Sequence, residues 1–134
     1  MAVADDDLRF IMVDIGAYWR NSDGGDFTHS KFGIALTKGD LPLSSSRSLP
    51  NGADLGLMPY VFVGDEAFPL QEHLMRPYPG RGFTEDQQIY NYRPSRARRV
   101  VESAFGILAV RWRIFHTKFD VSPQTSKNIV KATV

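Results

Sequence analysis

Eight residues near the start, LRFIMVDI from Leu8 to Ile15, are rich in β-branched and aromatic side chains and predict a buried strand. Ahead of them, Ala2 to Ala4 predict the end of a partner strand, with Asp5, Asp6 and Asp7 as the hairpin turn. NSDGG breaks the pattern, and Ser22 or Asp23 can cap a helix running through FTHSKFGIAL. Phe27, Phe32, Ala35 and Leu36 share a rough apolar face of that helix, and Gly39 falls just past its end. Residues 41–59 hold no period and predict a loop. Tyr60 to Val63 is an apolar run too short for a helix, and it predicts a buried strand that ends on Gly64, Asp65 and Glu66. Residues 75–83, MRPYPGRGF, predict an irregular connection. Thr84 to Gln87 forms a capping-box pattern that starts a helix. Pro94 removes a donor and predicts a break or kink near Arg93. Beyond it Val101, Ala104, Phe105, Leu108, Trp112 and Phe115 follow helical spacing, so Trp112 and Phe115 read as core. Ser122-Pro123 opens a last helix that runs to Val134. The order is strand, strand, helix, strand, helix, helix, which is mixed α/β. The chain begins inside a hairpin and ends inside a helix, so both ends read as cut.

Composition narrows the class without choosing a function. The 134 residues are 43% hydrophobic and 23% charged, which is ordinary for one globular domain or part of one. The net charge of +1 does not by itself point to nucleic acid. The absence of cysteine excludes disulfides, thiolate ligands and thiol nucleophiles, and it fits an intracellular protein. No apolar run approaches a membrane span, and MAVADDDLRF lacks the basic start and long apolar stretch of a signal peptide. No internal repeat and no separate DNA-binding domain is visible.

Charge distribution is more telling. From Arg93 to Arg113 six arginines face a single acid, Glu102. Asp65 closes an apolar strand, the place where reactive groups gather in α/β sheets, although from this stretch alone a turn Asp bonding its own backbone is the readier reading. Glu102 lies beside the apolar stripe of its helix, with small Gly106 one turn on. An ordinary pair with Arg98 four residues earlier is the competing reading. Together the two carboxylates could share a divalent cation, since Mg²⁺ takes oxygen ligands and only one or two carboxylates. Arginines around such a site would hold a phosphate backbone. His29, His73 and His116 have no ligand spacing, the Ser44–Ser46 loop offers no nucleophile context, and the glycines match no phosphate loop. RPSRARR could also serve as a nuclear import signal.

FVGDEAFPL, then LMRPYPGR, then YNYRPSRARRVVESAFGILAVRWRIF strongly resemble the nuclease domain of PIF/Harbinger-type transposases, which are DDE-superfamily endonucleases. VDIGAYWRNSDGG and FTHSKFGIAL resemble the family's segment after its third strand and the helix that follows. The resemblance covers nearly the whole chain. It implies an RNase H-like α/β fold, a mixed sheet flanked by helices, and DNA cleavage and strand transfer dependent on Mg²⁺ or Mn²⁺. Asp65 matches the second catalytic Asp and Glu102 the catalytic Glu, 37 positions apart. Both would be metal ligands, with Asp23 as a further candidate, and Arg96, Arg98 and Arg99 would bind DNA. The family's first Asp stands in an Ile-Asp-Gly-Thr-His type motif on a first strand, and no such motif occurs in this sequence. Trp19 stands where relatives usually have Gly, and Pro94 where they usually have Leu. The chain therefore reads as a domain lacking its first strand and its C-terminal end. A catalytically inactive remnant that binds DNA or protein, or an incomplete gene model, is the competing expectation. By the same resemblance the protein works in the nucleus beside a Myb-like DNA-binding protein, away from membranes. An open sheet edge predicts that the isolated chain is aggregation-prone.

Overall fold

The computed structural model describes residues 1–15 and 23–134. The chain opens on the predicted hairpin. Strands β1 (Ala2–Ala4) and β2 (Phe10–Val13) pair antiparallel, with Ala2 opposite Val13, Val3 opposite Met12 and a bulge before Ala4. The Asp5 carboxylate accepts the Arg9 N–H at 2.9 Å and closes the acidic turn. Leu8 takes a left-handed φ of 64° in that turn, so β2 starts at Phe10 and not at Leu8.

The helix expected through FTHSKFGIAL is two helices, α1 (Asp23–His29) and α2 (Lys31–Lys38). Ser30 divides them for a local reason. Its hydroxyl donates to the Phe27 carbonyl at 2.7 Å and accepts the Gly33 N–H at 2.9 Å, closing one helix while capping the next. The corner is so tight that a Cβ on Gly33 would collide with the Phe27 carbonyl. Gly39 ends α2 in the left-handed conformation, φ 73°, as its position suggested.

Residues 41–59 are not simply a loop. Strands β3 (Arg47–Leu49) and β4 (Gly52–Met58) form an antiparallel hairpin whose turn puts Asn51 at φ 59°. Its apolar residues stay in solvent, Leu55 at 60% and Leu57 at 69% exposure, so no buried face imposes an alternating pattern. The strand expected at Tyr60–Val63 is shorter, β5 (Phe62–Val63). It pairs in parallel with β6 (Leu74–Met75), at the edge of a stretch read as irregular. Amides of Phe62 and Gly64 donate to the carbonyls of His73 and Met75, each at 2.8 Å.

Helix α3 (Glu85–Arg111) starts on the Thr84–Gln87 capping box and passes through Pro94 without the expected break. Two anchors hold its first turns: Tyr90 Oη donates to the Arg76 carbonyl at 3.0 Å, and the Asn91 amide bonds both backbone groups of Tyr78. A short 3₁₀ turn, Arg113–His116, leads to α4 (Pro123–Thr133), capped by Ser122 with proline at its start. No helix among the described residues is long and apolar enough to cross a membrane.

The core is small. Phe27, Leu36 and Leu74 are buried together, and Phe32, Phe62 and Phe68 pack around them. Phe27 meets Phe68 edge-on at 5.5 Å and Phe32 at 6.0 Å. Trp112, expected inside, is 43% exposed just past the end of α3 at Arg111. The chain is thus mixed α/β, with its described strands in three two-stranded sheets.

Candidate metal and nucleic-acid site

The site is assembled at the C-terminal end of β5. Gly64 gives its amide to β6, and the chain then turns. The turn is made by Asp65 itself: Oδ1 accepts the Ala67 N–H at 2.9 Å and the main-chain oxygen accepts the Phe68 N–H at 3.2 Å. The turn reading of Asp65 is therefore correct as far as Oδ1 goes. Oδ2 is left for another partner, and Arg98 of α3 supplies it, with Nη2 at 3.8 Å. Both side chains are about one-third exposed, 32% for Asp65 and 31% for Arg98. A pair this wet and this long contributes at most about 1 kcal/mol. Its value is positional: it ties the strand end to the middle of the helix. Nearby, Arg76 donates to the Glu66 carbonyl at 2.9 Å and steadies the far side of the turn.

Glu102 is exposed on α3, one turn beyond Arg98 on the same face, about 6 Å further along the axis. The expected Arg98–Glu102 pair does not form among the described residues, since Arg98 reaches to Asp65 instead. Around Gly106, one turn on, the space is open. Arg96 and Arg99 are exposed, and Arg96 lies over the Tyr92 ring at 5.8 Å. Two helical steps turn Arg96 about 160° away from Arg98. Arg96, Arg98 and Arg99 thus form a belt around the helix, with Arg98 the member that touches the acid. Asp23 opens α1, and its side chain lies outside the described residues. His29 and His73 are used locally, each ring bonding a nearby carbonyl, of Gly25 and Tyr60.

Asp65 and Glu102 offer only oxygen donors, which suits Mg²⁺ or Mn²⁺ better than softer metals. No cluster of three potential metal-ligating side chains exists among the described residues. These two carboxylates would give a hard cation at most two protein ligands, the rest being water, and would not supply a two-ion clamp. A cation at Asp65 competes with Arg98 for Oδ2.

Two features had no sequence signal. The Asp65–Arg98 pair spans 33 positions and belongs to no local pattern. Beside it lies a mainly apolar cleft of about 390 Å³, lined by β1, β5 and α3 as well as Phe27 and Phe32.

A strand-end acid, an arginine reaching it from a long helix and a second acid one turn beyond that arginine form the candidate site. The chain belongs to the DDE superfamily endonucleases, whose match spans residues 1–134. It is also similar to the Protein ALP1-like of Arabidopsis thaliana, 34% identical over 117 residues. That alignment covers 86% of this chain and 28% of the relative, so the chain spans less than a third of that protein's length. No solved structure matches. The family read from FVGDEAFPL and VVESAFGIL is thus borne out.

Proposed function

We propose that residues 1–134 form part of a Harbinger-type, RNase H-like nuclease domain that binds one divalent cation and the DNA backbone. The observation that carries this reading is the contact of Asp65, at the end of β5, with Arg98 of α3, the residue one turn before Glu102. Asp65 and Glu102 would hold the cation. When bound, Mg²⁺ or Mn²⁺ would polarise a DNA phosphodiester for attack by water or a 3′-hydroxyl. The protein's own contribution is positioning. The turn hydrogen bond from Ala67 fixes Asp65, and the exposed guanidinium groups of Arg96 and Arg99 hold phosphates.

A second reading has its own support. Residues 1–134 contain no Ile-Asp-Gly-Thr-His type motif, and the described residues bring no third acid to the pair. On their own these residues then bind metal and DNA while cutting little. A Myb-like partner protein and a nuclear location complete the proposal, and the belt of arginines is what would meet DNA.

The test joins binding to cleavage. Mn²⁺ titration should show binding that is lost in Asp65→Asn and weakened in Glu102→Gln; binding indifferent to both would remove the site. Duplex DNA affinity should fall with salt, and Arg96→Ala or Arg99→Ala should each reduce the log–log slope by about 0.9. Mg²⁺- or Mn²⁺-dependent cleavage by this chain, abolished in Asp65→Ala, would overturn the binding-only reading.

A further inference from the structure

The two ends of the Asp65–Arg98 contact are held very differently. Asp65 is fixed by its own turn, because Oδ1 keeps the Ala67 N–H at 2.9 Å whatever happens at Oδ2. Arg98 is held by this one contact among the described residues, and Glu102 does not take its guanidinium. At 3.8 Å, Nη2 and Oδ2 make an ion pair longer than a hydrogen bond. The N–H donors of the guanidinium are therefore open to a better acceptor, and the side chain is about one-third exposed to meet one.

A phosphate is that acceptor. It takes two parallel, charge-assisted N–H···O bonds from a guanidinium, where Asp65 offers a single long approach. When Arg98 turns to a phosphate, Oδ2 loses its counter-charge while the turn keeps the carboxylate in place. Oδ2 is then free for a hard cation. The exchange also runs backwards: a cation on Oδ2 displaces Arg98 and leaves it for phosphate. The acid is the fixed part of this pair and the arginine the moving one.

We propose that Arg98 is an exchangeable guard on Asp65, through which the DNA backbone and the divalent cation promote each other's binding. The inference rests on the metal- and DNA-binding reading above and adds a regulation to it. With neither ligand present, Arg98 masks the acid and the acid occupies Arg98. Whichever ligand arrives first breaks the contact, and the second does not have to break it again. By linkage the gain is the same in both directions. Its size is the strength of the contact broken, so about 1.5- to 5-fold for a pair this exposed. Attraction between a cation and a polyanion adds a coupling that needs no arginine, so the share of Arg98 is isolated by a double-mutant cycle.

The first arm uses no metal. Anisotropy of a fluorescein-labelled DNA duplex is followed on the 134-residue chain in EDTA. Asp65→Asn keeps an Oδ1 acceptor for Ala67 and removes the charge that holds Arg98. It should tighten duplex binding more in the parent than in an Arg98→Gln background, by about 1.5- to 5-fold. Glu66→Gln removes the same charge one residue away and should act equally in both backgrounds. In the second arm, Mn²⁺ should tighten duplex binding by the parent. That gain should be smaller by the same factor in Arg98→Gln and unchanged in Arg96→Ala. Equal effects of Asp65→Asn in both backgrounds, or an Mn²⁺ gain that ignores Arg98→Gln, would overturn the guard while leaving metal and DNA binding intact. A chain that binds neither Mn²⁺ nor duplex would overturn both readings.

Discussion

Two glycine-to-alanine changes should move stability in opposite directions, and the structure says why. Gly64 sits between β5 and the Asp65 turn. A Cβ placed there would lie 3.0–3.2 Å from three atoms of Phe68. Phe68 cannot simply swing aside, because its ring is set edge-on against fully buried Phe27. Overpacking of this kind costs about 1–3 kcal/mol. The strain falls on the Gly64–Met75 bond, which measures 2.8 Å. Hydrogen exchange at residues 64 and 75, corrected for intrinsic rates, should then be roughly 5- to 150-fold faster in Gly64→Ala. Gly106, exposed near the C-terminal end of α3, has nothing within 4 Å of its would-be Cβ. Alanine there should gain about 0.5–1 kcal/mol of helix stability, slowing exchange in the last turns of α3 about two- to fivefold. Local exchange is the right assay because it reads each site separately and needs no sharp global transition. If Gly64→Ala left β5 and β6 within twofold of the parent, Phe68 would not be the constraint on the Asp65 turn.

Three further outcomes follow from the same contacts. Arg98→Gln should tighten Mn²⁺ binding about 1.5- to 5-fold, since it frees Asp65 Oδ2 from a pair worth at most about 1 kcal/mol; weaker binding in calorimetry would show that Arg98 instead orients the carboxylate. Burial, and then neighbouring Tyr78, raises the Tyr90 hydroxyl above its ordinary pKa of 10.0. The raised value favours the neutral form in the fold, so this contribution is intact below about pH 10 and is lost as pH rises through the folded value. Urea midpoints should fall in that alkaline range, and Tyr90→Phe should flatten the fall; an unchanged profile would refute the assignment. With Phe27, Leu36, Leu74 and Ala104 as the buried apolar residues among those described, the isolated chain should melt broadly and aggregate. A sharp calorimetric transition of a soluble monomer would count against that.

Local signals were read well from the sequence, and long-range ones were not. The acidic hairpin turn, the Thr84 capping box, Gly39 and Ser122-Pro123 are decided by side chains within four residues of one another. Composition is enough to find them. Pro94 misled because its penalty is local, while the compensation comes from Tyr90 and Asn91 bonding a segment more than ten residues away. Ser30 misled in the opposite way, since a serine at the centre of an apolar helical pattern gives no warning that its hydroxyl will cap a second helix. The exposed β3–β4 hairpin escaped because strand periodicity is a burial signal, and its leucines are not buried. At the site, Asp65 and Glu102 came from the family's motifs. The contact of Asp65 with Arg98 joins chain segments that no spacing rule connects.

The proline within α3 divides that helix mechanically. Its N-terminal turns are fastened to residues 76–78, whereas the turns that carry Arg98 and Val101 rest on the cleft and on Asp65. Pro94 has no N–H to give to the Tyr90 carbonyl, and its ring crowds that oxygen, so the rod is weakest in bending at this joint. A load applied through the 76–83 connection would be taken up there as a small change of angle. The acid-bearing half of the helix would thereby be insulated from a displacement of the segment that feeds into it.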